Sequence, residues 1–89
     1  VDLNAVVRYI VGTRRYALET SGIGLELHLA DGELPVLGDA TQLEQVVLNL
    51  VANAHEALDA DAAHARAARI TIRTVRHAQE AVLEVADNG

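Results

Sequence analysis

Apolar residues recur at helical spacing over residues 3–19, alternate over Leu25–Leu29, return to helical spacing from Gln42 to Leu58, and alternate again over 69–76 and 81–86. A period near 3.6 marks an amphipathic helix, and a period of 2 marks a half-buried strand. The predicted order is therefore helix, strand, helix, strand, strand. In the first helix Val6, Val7, Ile10, Ala17 and Leu18 form the apolar face, Arg8, Arg14, Arg15 and Glu19 face water, and Asp2 is the N-cap. Gly12 lies inside this helix at a cost of about 1 kcal/mol relative to Ala, and marks either close packing or a weak point. Ser21-Gly22-Ile23-Gly24 reads as a turn. Leu25, Leu27 and Leu29 then point to the core, Asp31-Gly32 turns the chain, and Pro35 leaves at most a short edge segment at Val36-Leu37.

The second helix has the clearest two-sided pattern. Leu43, Val47, Leu50, Val51, Ala54, Ala57 and Leu58 fall on one broad apolar face, and Asp39 followed three residues later by Gln42 is a capping signature. Gln42, Gln45, Asn49, Asn53 and Glu56 share a stripe on the far side of Val46. A merely solvated face usually mixes Glu with Lys or Arg at i,i+4. This stripe carries amides and one carboxylate, and asparagine is a poor mid-helix residue.

Beyond Leu58 the pattern fades through the Ala-rich piece from Ala60 to Ala68, which reads as a linker or helix end. Ile70, Ile72 and Thr74 point inward from the next strand, His77–Glu80 form a polar turn, and residues 81–86 return as a hairpin partner. The economical arrangement is an α+β, two-layer sandwich with both helices on one face of a mixed sheet. Arg69, Thr71, Arg73, Glu26 and His28 then lie on the open face.

Composition narrows the chemistry. The 89 residues are one domain or part of one, with 51% hydrophobic residues but no Phe, Trp, Met or Cys, so Val, Leu, Ile and Ala must build the core. Neither a disulfide nor a thiolate metal site is available. The net charge of −6 and the lack of a basic patch argue against nucleic acid as a partner. No apolar run is long enough to span or anchor in a membrane, which fits a cytoplasmic segment. His28, His55, His64 and His77 lack ligand spacing, and position 59 is Asp where HExxH needs His. With no Lys in the chain there is no P-loop, and the single serine, Ser21, lies in a turn rather than a nucleophile elbow.

What remains is the helix stripe and the terminal Asp87-Asn88-Gly89. Asparagine carbonyls are hard neutral oxygen donors of the kind Mg²⁺ accepts while sharing phosphate oxygens. Asn49 and Asn53, one turn apart, place two of them about 6 Å apart at Cβ. A strand-end carboxylate followed by Gly can accept from an exocyclic amine while the glycine lets a ring approach the backbone. From spacing alone, a solvated helix face and a turn account for the same residues.

The stretch QLEQVVLNLVANAHEAL resembles the N box of the GHKL (Bergerat) ATP-binding fold as it occurs in bacterial two-component sensor histidine kinases. Asp39 matches the aspartate that often precedes that helix, ADNG at 86–89 is similar to the start of the G1 box, DxGxG, and VDLNAVVRYIV resembles the family's first helix. The likeness covers essentially the whole chain, divided as first helix 3–19, N-box helix 40–58, strand hairpin 69–86 and G1 start 87–89.

The resemblance implies ATP and Mg²⁺ as ligands. Asn53 would ligate the metal, Asn49 would contact the phosphate–metal region as a second candidate ligand, and Glu56 would take a secondary role. Asp87 would accept from the adenine amine, and Gly89 would be the first G1 glycine. The chain departs from the family by ending inside the G1 box, before the ATP lid and the remaining strands, so it corresponds to the first half or so of the domain and is expected to bind ATP poorly or not at all and to be inactive alone. No catalytic residue is expected within it, because the phosphoacceptor histidine belongs to a separate dimerisation domain. That domain and a response regulator are the implied partners, and an open sheet edge would favour self-association. The alternatives are another GHKL ATPase, an anti-sigma-factor-type serine kinase, and a non-catalytic α/β interaction module. Hydrolysing relatives carry Glu as general base four residues before the metal-binding Asn; Asn49 cannot accept a proton there.

Overall fold

The computed structural model of the chain describes residues 1–60 and 68–88. Helix α1 (Leu3–Thr20) leads to strand β1 (Ile23–His28), helix α2 (Ala40–Ala60), and strands β2 (Ala68–His77) and β3 (Glu80–Asp87). The sheet order is β1-β2-β3, with β1 parallel to β2 and β2 antiparallel to β3. A parallel pair needs a long crossover, and α2 supplies it. Both helices pack on one side of the sheet, α1 against β1 and α2 against β2 and β3. The arrangement is the two-layer α+β sandwich with a mixed sheet.

The core lies between the layers. Val7 and Leu18 from α1, Val47 and Val51 from α2, and Ile70 and Ile72 from β2 are all but inaccessible. Each such aliphatic side chain contributes roughly 1.5–3 kcal/mol when buried. Leu25, Leu27 and Leu29 are half-buried against this core, as their alternation requires.

Capping fixes the ends of α1. The Asp2 carboxylate accepts from the backbone N–H of Asn4 at 3.0 Å and, across the fold, from that of Leu34 at 2.9 Å. Beyond Thr20 the N–H groups of Ser21 and Gly22 return to Ala17 and Glu19, and Gly22 takes the left-handed conformation that ends the helix, φ 74°. Asn4 is a buried polar residue that the sequence pattern does not flag. Its amide nitrogen donates to the carbonyls of Ala30 (2.8 Å) and Gly32 (3.1 Å), and its oxygen accepts from the Thr74 hydroxyl. One side chain thus ties α1 to the turn after β1 and to β2.

Several sequence expectations are corrected. Ile23 and Gly24 are not part of the turn: β1 begins at Ile23, which is buried, and pairs from Ile23↔Ala68. Only Gly22 of that stretch needs a glycine conformation. Val36 does pair at an edge, exchanging hydrogen bonds with Val1 at 2.7 and 3.1 Å beside the antiparallel Asp2–Pro35 bridge, but the segment stops there, and Leu37 is fully exposed. On α2, Leu50 and Ala57 are exposed, while Leu48 packs against the core, because the buried arc is narrower and centred on Val47, Val51, Ala54 and Leu58. On α1 the buried arc also takes in Leu3 and Val11. Close packing does not explain Gly12: a Cβ there would meet nothing within 4 Å. Most of the Ala-rich piece, residues 61–67, lies outside the described residues.

Candidate functional site on helix α2

Helix α2 starts where Asp39 caps it. Its carboxylate accepts from the N–H groups of Thr41 (2.7 Å) and Gln42 (3.3 Å), and its carbonyl from Leu43. The cap fixes where the helix begins, and its buried arc sets its rotation. With Val47, Val51, Ala54 and Leu58 buried, Gln42, Gln45, Asn49, Asn53 and Glu56 are all exposed on the opposite side. The amide stripe is therefore a real feature of the folded chain. Within it the Gln45 amide donates to the Asn49 carbonyl at 2.9 Å. Among the described residues no side-chain hydrogen bond holds Asn53. One carbonyl of the pair is thus engaged and the other is available.

The second candidate segment is the end of β3. In the antiparallel register Asp87 lies opposite Ile70, as Val85 lies opposite Ile72. Ile70 and Ile72 face the helices, so Asp87 leaves the sheet on the same side as α2. Asn88 extends the pairing: its side-chain carbonyl accepts from the Arg69 N–H at 2.8 Å, and its own N–H donates to the Arg69 carbonyl. This role of Asn88, fixing the strand end that carries Asp87, has no signal in the sequence beyond its place after the strand. Gly89 lies outside the described residues. Asp87 thus lies on the side of the sheet that carries α2, whose amide stripe is turned away from the core.

His55 belongs to neither segment. Its ring faces α1, with Nδ1 3.4 Å from an Arg14 nitrogen and Nε2 3.1 Å from the Ser21 hydroxyl and 3.4 Å from Asp59. A guanidinium only donates, so Nδ1 accepts. Serine and aspartate meet the same ring nitrogen, which is not the relay of an activated nucleophile. The contact is a brace between the helices. Among the described residues no three His, Asp or Glu gather into a metal cluster. No helix among them is long and apolar enough to cross a membrane.

No family model matches the chain, and no curated protein matches it. Solved structures do. Nucleotide-free crystals of the catalytic domain of histidine kinase ThkA superpose with a TM-score of 0.84 at 22% identity, covering 100% of this chain and 57% of that one. A second nucleotide-free form gives 0.84 at 24% identity and 58% of the neighbour, and a third gives 0.83 at 22% identity. The fold is that of a histidine kinase catalytic domain. The chain spans somewhat over half the length of those domains. Both helices and all three strands fall within the shared part, so the amide stripe and the β3 end sit on a histidine kinase catalytic fold.

Proposed function

We propose that this chain is part of the ATP-binding catalytic domain of a sensor histidine kinase. The observation that carries the proposal is the uncharged amide stripe of α2, with an unengaged Asn53 beside an engaged Asn49, presented on this fold. Mg²⁺ is a hard cation that takes neutral oxygens, keeps waters and shares phosphate oxygens, and the donor set fits it. Asn53 would hold the metal, and Asn49, with its carbonyl tied to Gln45, would turn its N–H groups to a phosphate oxygen. Glu56 borders the same stripe. Asp87 would accept from the adenine amine, with Gly89 giving the ring access to the backbone. When bound, the metal would neutralise charge on the phosphates.

In the intact kinase the γ-phosphoryl would pass to a histidine of a separate dimerisation domain, and from there to a response regulator. Such transfer asks the protein for position and charge stabilisation rather than covalent chemistry. Asn49 supports this reading over hydrolysis, since an amide cannot serve as general base toward water.

The test is a titration of Mg-ATP into the ¹⁵N-labelled chain, followed by NMR up to millimolar ligand. The expected shifts cluster on the side-chain amides of Asn49 and Asn53 and on the backbone of Asp87 to Gly89. Affinity is expected to be weak, since the chain carries only part of the domain. Shifts confined to other surfaces would overturn the proposal.

A further inference from the structure

The chain holds four asparagines, and the fold divides them into two kinds. Asn4, Asn49 and Asn53 lie inside α1 and α2. A helix fixes the backbone on both sides of such a residue, and the N–H that follows points back toward the helix N-terminus. The next residues, Ala5, Leu50 and Ala54, also carry a Cβ beside that nitrogen. Asn88 differs on every count. It is exposed, it stands one residue past the end of β3, and with Gly89 it makes the only Asn-Gly pair in the chain. Glycine has no Cβ to restrict the backbone or to shield its nitrogen.

The hydrogen bonds at the strand end sharpen the difference. In a hydrogen-bonded antiparallel pair, each residue gives its N–H to the carbonyl of the other. The Asn88 N–H follows this rule and donates to the Arg69 carbonyl at 3.2 Å. The Arg69 N–H does not: it donates to the Asn88 side-chain Oδ1 at 2.8 Å. The bond from Arg69 thus holds the side chain of Asn88 rather than the main-chain carbonyl of the Asn88–Gly89 peptide. The ladder ends on the very amide that can react.

We propose that Asn88 is a self-modification site, deamidating by attack of the Gly89 nitrogen on its side-chain Cγ. A bond forms between that nitrogen and Cγ, closing a five-membered imide ring. The Cγ–Nδ2 bond breaks, and Nδ2 leaves as ammonia with the proton from the Gly89 N–H. Water then opens the ring. Addition at Cγ gives aspartate, and addition at the main-chain carbonyl gives isoaspartate. The net change is one water consumed and one ammonia released, with no oxidation or reduction. Either product sets a second carboxylate beside Asp87. The aspartate keeps an acceptor for the Arg69 N–H, now a charged and stronger one. The isoaspartate lengthens the main chain by one atom at the same point, so the two products leave the end of β3 differently anchored.

The inference stands independently of nucleotide binding. The test ages the 89-residue chain in warm, mildly alkaline buffer and follows it by mass spectrometry, with fragmentation that separates aspartate from isoaspartate. The expected result is a gain of about 1 Da, the exchange of an amide NH₂ for OH, confined to Asn88 and matched by released ammonia. Both products form, while Asn4, Asn49 and Asn53 keep their amides. Gly89→Ala slows the gain about fivefold, because a Cβ removes backbone freedom from the attacking residue. Asn88→Asp shows neither mass gain nor ammonia. In NMR spectra of the aged chain the Arg69 amide divides into separate signals for the native, aspartate and isoaspartate forms, and Asn88→Asp reproduces one of them. A chain that keeps its mass, a gain spread over the helical asparagines, a rate indifferent to Gly89→Ala, or an Arg69 signal that stays single in the modified chain would overturn the proposal.

Discussion

The Thr74 hydroxyl donates to Asn4 Oδ1 at 2.6 Å, joining residues 70 positions apart inside the interface between helix and sheet. The same hydroxyl accepts from the Ala30 N–H at 2.9 Å. Thr74→Val preserves the shape but leaves a carbonyl and an N–H unpaired in a site that is 3% exposed at Thr74 and closed at Asn4. The expected loss is about 2–3 kcal/mol, the cost of stranding buried polar groups rather than of one hydrogen bond. Urea unfolding measures it, and Thr74→Ser, which keeps the hydroxyl, should recover most of it. Equal losses for Val and Ser would mean that packing, not the hydrogen bonds, sets the cost.

Asn4 also shows where sequence reading stops. A polar residue just after an N-cap looks solvated, and its partners at 30, 32 and 74 lie in other elements. Local chemistry was legible: Asp2 and Asp39 cap as expected, and the alternation of β2 places Ile70, Ile72 and Thr74 inward. The start of β1 is hidden in the sequence because Gly22 and Gly24 together resemble a turn, although of the two only Gly22 has positive φ. The amide stripe of the candidate site was legible because it breaks the usual charge pattern of an exposed helix. Its internal asymmetry was not, since the Gln45–Asn49 contact depends on side-chain direction. The facing of Asp87 follows from the β2–β3 register, which the pattern of either strand alone does not fix.

Asp2 should make stability depend on pH. The Leu34 N–H holds its carboxyl below the ordinary carboxylate range, opposed by desolvation and aided by the N–H groups of Asn4 and Ala5 and the charge of Arg8. The folded state therefore prefers the ionised form. That contribution is fully present above the unfolded value, near 3.8, and is lost as pH falls through the lower folded value. Asp2→Asn keeps a capping oxygen without the charge. It should be less stable than the native chain at neutral pH, with the gap in urea midpoint narrowing below about pH 4. A gap that stays constant down to pH 2 would contradict the assignment.

The β2–β3 hairpin turns on two residues, Ala78 and Gln79, between the paired His77 and Glu80. Ala78 takes φ 56°, where a Cβ is unfavourable. That conformation costs a non-glycine residue roughly 1–2 kcal/mol, while a glycine adds about 0.4–1 kcal/mol of chain entropy to be lost on folding. Ala78→Gly should therefore stabilise the chain by about 0.5 kcal/mol, the surplus of strain relief over entropy. The unfolding midpoint should rise with an unchanged denaturant slope. A fall would show that the turn is not strained.

The two asparagines of α2 should differ in how they serve a Mg-nucleotide. Gln45 already engages the Asn49 carbonyl, whereas no side-chain hydrogen bond among the described residues holds Asn53. In NMR or calorimetric titrations of Mg-ATP, Asn53→Ala should weaken binding by about tenfold or more, and Asn49→Ala by about threefold, steps of roughly 1.4 and 0.6 kcal/mol. Both side chains are exposed, so neither change should unfold the chain. The metal supplies the sharper criterion. If Asn53 acts through Mg²⁺, its penalty should vanish when the titration is repeated with ATP and a chelator. The Asn49 penalty, arising from an amide donating to phosphate, should persist. Equal penalties with and without metal would make Asn53 a phosphate contact instead, and would leave the helix stripe without its metal ligand.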